Sequence, residues 1–131
     1  MCGILFWLGA AGRAPGADDP VVAEILALLR RRGPSSGPVV QSCLGGSGVA
    51  AASVLHIRGA SPVVQPSVSA RGDMLLWNGE VFHGPPGTVA ACRGQGDTVF
   101  LRDLLSDACE GLSDPRAVAS AVSRAIAPLH A

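Results

Sequence analysis

The chain has 131 residues, about one domain's worth, and 48% of them are apolar, enough for a sizeable core. Ten basic residues cancel ten acidic ones and only 15% of the chain is charged, so no net field draws nucleic acid or an anionic membrane to its surface. All ten basic residues are arginine, which excludes Schiff-base, P-loop and lysine-base chemistry.

Residues 2–8 form a bulky apolar run that reads as a buried strand. The run lacks a basic flank and is too short for a signal peptide or a membrane span. Asp19 followed by Pro20 supplies a helix N-cap and a first-turn proline. Val21, Val22, Ile25, Leu26, Leu28 and Leu29 then recur at helical spacing until Gly33-Pro34. Arg30, Arg31 and Arg32 fall in the last turn, where they suit the helix dipole as a solvated cap. Segments 39–44 and 49–57 are rich in apolar and β-branched residues and flank Gly45-Gly46-Ser47-Gly48, the pattern of a hairpin. A second hairpin is expected from 73–77 and 81–83 across Asn78-Gly79.

Phe100, Leu101, Leu104, Leu105 and Ala108 then mark a helix capped by Asp97. Asp114-Pro115 starts another, with Val118, Val122 and Ile126 inward and Pro128 ending it. One helix, several antiparallel strands and two further helices define an α+β class. Cys2, Cys43, Cys92 and Cys109 show no C-x-x-C spacing, and His56, His83 and His130 do not cluster with them. This argues against a zinc site and for reduced thiols in a cytoplasmic protein.

Cys2 directly follows the initiator methionine. Removal of Met1 would leave a thiol and an α-amine on adjacent carbons of one residue. An α-amine ordinarily titrates near pH 7.7–8.0 and a free thiol near 8.5, so the amine can take the thiol proton without a histidine.

Met1-Cys2-Gly3-Ile4 resembles the opening of class II glutamine amidotransferase domains, the N-terminal-nucleophile type. Further segments follow in that family's order: Arg32-Gly33-Pro34, His56-Ile57-Arg58, Gln65-Pro66, Asn78-Gly79-Glu80-Val81-Phe82 and Gly96-Asp97-Thr98. Around 54–59 and 76–82 the wording is closest to asparagine synthetase-like members. The resemblance implies an N-terminal-nucleophile hydrolase fold, an αββα sandwich of antiparallel sheets between helices. It also implies hydrolysis of glutamine to glutamate and ammonia through Cys2, with no metal or other cofactor and with glutamine as the ligand. In these roles the Asn78 side-chain amide and the Gly79 backbone N–H would stabilise the oxyanion. Arg58 would grip the α-carboxylate with two parallel donors, and Asp97, supported by Glu80, would hold the α-ammonium.

The resemblance fades after Leu112. Residues 1–112 read as a partial amidotransferase domain and 113–131 as a divergent helical tail. The family's later G-P-x-[SA]-F and R-D-x-x-G segments are missing, so one sheet would be incomplete, with unpaired edges and an open apolar face. The ATP-dependent synthetase domain that accompanies this domain in asparagine synthetases, with its S-G-G-x-D-S-type loop, is also absent. The alternative reading is a non-catalytic interaction or remnant module that keeps the fold's first half.

Overall fold

The computed structural model describes residues 2–9, 12–57 and 61–130. They form an α+β fold with antiparallel strands and, among the described residues, four helices. The chain divides into two compact units, Met1–Pro66 with Leu75–Asn78, and Ser67–Met74 with Gly79–Ala131.

In the first unit, the apolar opening becomes β1 (Gly3–Leu8) and the capped segment becomes α1 (Pro20–Arg32). The Asp19 carboxylate accepts from the backbone N–H groups of Val21 at 2.9 Å and Val22 at 3.3 Å, satisfying donors that the first turn leaves without helical partners. β2 (Ser36–Cys43) and β3 (Gly48–Val54) are joined by a tight turn through Leu44–Gly46. All seven β3 residues are buried, because β3 is the central strand in the order β1-β3-β2. Its small side chains (Gly48, Ala50, Ala51, Ala52 and Ser53) let neighbours pack closely on both sides. The strand is shorter than expected: it ends at Val54, so His56 lies beyond it.

Register shows which face α1 covers. Gly3 pairs with Ser53, Leu5 with Ala51 and Trp7 with Val49. A Cβ on Gly3 would come within 2.7 Å of Leu29 Cδ2, so this is the face against α1, whose Val22 and Leu29 are buried. Val21 and Leu28, expected within the apolar stripe, are instead about half exposed. At the end of α1, a Cβ on Gly33 would collide with the Ser53 carbonyl, and Ser53 Oγ donates to the Gly33 carbonyl at 2.5 Å. Glycine is required there by backbone meeting backbone.

The other face of β1 presents Ile4, Phe6 and Leu8, which are 39%, 53% and 59% exposed. These three form an exposed apolar row on one face of the strand. β1 and β2 are the edges of the three-stranded sheet among the described residues. β2 carries Pro38 and a register shift between Ser36 and Val39, features that blunt an edge, and β1 carries neither.

β4 (Ser67–Val68) and β5 (Met74–Leu75) form a short hairpin whose turn, in the second unit, is closed by Ser69 N–H to the Asp73 carbonyl at 2.8 Å. Three helices follow: α2 (Thr88–Gln95), α3 (Asp97–Ala108) and α4 (Pro115–Ile126). The Ser106 hydroxyl on α3 donates to Asp73 Oδ2 at 2.5 Å and lies 3.1 Å from Ser69 Oγ, and Arg71 Nε donates to Ser106 at 3.2 Å. This polar cluster, with Ser69 and Ser106 buried beneath the exposed Arg71 and Asp73, fastens the turn to α3. Asp114 caps α4 by accepting from Ala117 N–H at 2.8 Å, as the sequence indicates. α4 packs on α3 and buries Ala121, whereas Ile126 is 45% exposed and not inward as expected.

The second expected hairpin does not form. β5 pairs with β4, and residues 76–82 lie in no strand. The backbone donors that a ladder across Asn78-Gly79 would use are taken by side chains. Trp77 N–H donates to Gln65 Oε1 at 2.7 Å, and Val81 N–H donates to Asp97 Oδ2, also at 2.7 Å. α2 was not expected, since it carries only a short apolar pattern behind Pro85-Pro86-Gly87.

Two glycines test this packing. Gly33→Ala should destabilise by about 1–3 kcal/mol, because the added methyl meets backbone that cannot yield. Gly94→Ala, inside α2 with nothing within 4 Å, should stabilise by about 0.5–1 kcal/mol. Urea denaturation of the two variants beside the parent chain measures both, and a neutral Gly33→Ala would contradict the close approach.

Candidate functional site

Cys2 stands immediately before β1 and is half-buried. Antiparallel pairing of Gly3 with Ser53 brings it opposite the end of β3, and its Sγ lies 3.9 Å from the Leu55 carbonyl oxygen, a weak thiol contact. The Cys2 carbonyl accepts from Arg32 Nε at 3.3 Å. Arg32 is the arginine of the R-G-P segment, where the helix dipole alone predicts a solvated cap. Its reach depends on the close approach at Gly33, which brings the last turn of α1 to the start of β1.

The path leading from β3 toward Arg58 is also held. Ser35 N–H donates to the Val54 carbonyl at 3.0 Å, and Ser35 Oγ accepts from His56 N–H at 3.0 Å. The register therefore sets Cys2 beside the stretch that runs into Arg58. Arg58 itself, expected to bind carboxylate, lies outside the described residues, as does Met1, whose removal the nucleophile role requires.

Gln65 is 3% exposed, and its side-chain amide oxygen receives the N–H of Trp77, the residue before Asn78. The Gln65-Pro66 segment thus has a task the sequence did not reveal, that of fixing the approach to the Asn78 bend. Asn78 and Gly79 are both exposed.

In the second unit, Asp97 opens α3 without capping it. The cap position is held by Gly96, in a backbone conformation of φ 88°, with no side-chain cap bond. Instead the Asp97 carboxylate turns to Val81 N–H, so it fixes the residue that follows Glu80. Glu80 is half-buried. Cys92, on α2, is 6% exposed; burial, reinforced by the Asp97 carboxylate nearby, pushes its thiol up to about 11. A thiol in such a place stays protonated at neutral pH. Among the described residues no three His, Cys, Asp or Glu side chains gather as a metal site, and no helix is long and apolar enough to cross a membrane.

The structure thus brings Cys2 to Arg32 and Leu55, Gln65 to the residue before Asn78, and Asp97 to the residue after Glu80. Cys2, Arg32, Gln65, Val81 and Asp97 all lie in the short motif segments named from the sequence.

The chain is similar to asparagine synthetase domain-containing protein 1 of Mus musculus, with 42% identity over 92 residues, 70% of this chain and 14% of that protein. The Bos taurus protein of the same name is 35% identical over 92 residues, covering 70% of this chain and 13% of the relative. The Homo sapiens protein is 32% identical over 115 residues, covering 87% of this chain and 17% of the relative. Over that part the chain is homologous to them, and it spans 13–17% of the length of these curated relatives. No family model matches the sequence, and no solved structure matches it.

The thiols offer a direct check on the geometry. With its thiol near 11, Cys92 is ionised in only about one molecule in a thousand at about pH 8. Brief alkylation there, followed by peptide mass mapping, should modify the half-buried Cys2, Cys43 and Cys109 well before Cys92. Early modification of Cys92 would show that its burial is wrong.

Proposed function

We propose that the chain carries the chemistry of a class II glutamine amidotransferase domain on a partial N-terminal-nucleophile αββα framework, hydrolysing glutamine to glutamate and ammonia through Cys2. The observation that carries this reading is the anchoring of Cys2. The first residue of the motif series is held at its carbonyl by Arg32 and lies beside the strand end that leads to Arg58. Homology to proteins named for an asparagine synthetase domain supports it and links the ammonia to asparagine biosynthesis.

In the proposed mechanism, loss of Met1 frees the Cys2 α-amine, which takes the thiol proton. The thiolate attacks the side-chain carbonyl of glutamine, and the oxyanion is met by the Asn78 amide NH₂ and the Gly79 N–H. Collapse expels ammonia, protonated by the same α-amine, and leaves a γ-glutamyl thioester. Water then attacks the thioester, releasing glutamate and restoring the thiol. Arg58 holds the substrate carboxylate, and Asp97 with Glu80 holds its ammonium, so a free amino acid is selected over a glutamine side chain in a protein. Arg32 acts as a positioning residue through the Cys2 carbonyl. No metal or nucleotide enters these steps.

The second reading, a non-catalytic interaction module, is favoured by the exposed row Ile4, Phe6 and Leu8 on an edge strand without proline or charge.

Ammonia release from free glutamine by the chain lacking Met1 separates the two. Cys2→Ala should abolish release, and Asp97→Asn should raise KM by about tenfold or more, the effect of weakening one charged contact to the substrate. Release that survives Cys2→Ala would overturn the mechanism, and no release from a folded chain lacking Met1 would favour the interaction module.

A further inference from the structure

The two exposed histidines of the second unit play no part in the proposed hydrolysis, yet the backbone holds them face to face. His130 N–H donates to the His83 carbonyl at 3.0 Å and His83 N–H donates back to the His130 carbonyl at 3.3 Å, an antiparallel exchange. Phe82 N–H adds a third bond to the His130 carbonyl at 2.8 Å. Residues exchanging both bonds in this way project their side chains from the same face of the ladder. The imidazole rings have centroids 5.7 Å apart and planes inclined at 32°, too far apart and too tilted for a stack.

That separation has another use. Metal–nitrogen bonds of about 2.0–2.1 Å set the ring centres of two neighbouring imidazoles on one cation roughly 4.5–5.2 Å apart, a spacing that these exposed rings reach from 5.7 Å by a small side-chain rotation. We propose that His83 and His130 form a two-histidine site for a divalent transition cation, which staples the segment after Val81 to the stretch that follows α4 at His130. Imidazole nitrogen selects nickel, copper or zinc over magnesium and calcium, which prefer oxygen. No third His, Cys, Asp or Glu joins the pair among the described residues. Water completes the shell, and affinity falls below that of closed four-ligand sites. The backbone exchange supplies the preorganisation, because it brings the two rings together before any cation arrives. The site is independent of glutamine hydrolysis, since neither histidine is assigned a role there.

The test is titration of the full chain with Ni²⁺ alone, followed by NMR of the histidine ring protons and by the thermal transition. The paramagnetic ion should broaden the His83 and His130 signals together at one equivalent while sparing His56, and it should raise the melting temperature by mass action. His83→Gln and His130→Gln change exposed side chains and leave the backbone exchange intact. Each should weaken binding by about ten- to a hundredfold, the loss typical when a group supporting a metal site is removed. His56→Gln should bind as the parent does. Uniform broadening at all three histidines, binding unaffected by His83→Gln, or binding moved to the cysteines would each overturn the site.

Discussion

The first unit depends on one close approach, where the end of α1 meets β3 backbone to backbone at Gly33 and Ser53. No side chain fits between them, and Ser53 Oγ ties the Gly33 carbonyl at 2.5 Å. A second glycine contact, Gly3 against Leu29, lies one strand over and holds the start of β1 under the same helix. Between them these contacts determine where Arg32 emerges from the helix, and Arg32 reaches the Cys2 carbonyl. The glycines of the opening Met1-Cys2-Gly3-Ile4 segment and of Arg32-Gly33-Pro34 are therefore packing residues with a positional result. They allow a helix to sit on a sheet closely enough that its last arginine touches the residue of chemical interest.

The Asn78-Gly79 bend is held by a related device. Gln65 takes the N–H of Trp77 in the first unit, and Asp97 takes the N–H of Val81 in the second. Each acceptor removes a donor that would otherwise enter a strand ladder, so the bend keeps a conformation a hairpin would not give it. A buried amide and a carboxylate make strong partners for such donors, because leaving a buried backbone N–H unpaired costs about as much as a lost hydrogen bond.

Sequence patterning revealed the local structure well wherever a cap or a proline marks it. Asp19-Pro20 and Asp114-Pro115 begin helices at those points, and the glycine-rich stretch through Gly45, Gly46 and Ser47 separates β2 from β3. It failed where tertiary contacts override turn chemistry. Asn-Gly is a strong hairpin signal, but nothing local shows that Gln65, twelve residues before Trp77, or Asp97, sixteen after Val81, will claim the donors on either side. Asp97 looked like a helix cap because helix caps and long-range acceptors use the same residue types. Arg32 looked solvated because its target lies thirty positions away. α2 was missed because one buried cysteine and one buried threonine make too weak a stripe. The alternation that exposes Ile4, Phe6 and Leu8 on β1 was not legible, because a run of bulky apolar residues reads as a strand buried on both faces.

The central claim is that Cys2, and no other thiol, attacks glutamine. Mixing the chain lacking Met1 with glutamine, quenching in acid and locating adducts by peptide mass spectrometry tests it most directly. The account predicts a γ-glutamyl adduct on Cys2 alone, lost in Cys2→Ala and reduced in Arg32→Ala. An adduct on Cys43, Cys92 or Cys109, or a folded chain that turns over glutamine with no adduct on Cys2, would contradict it.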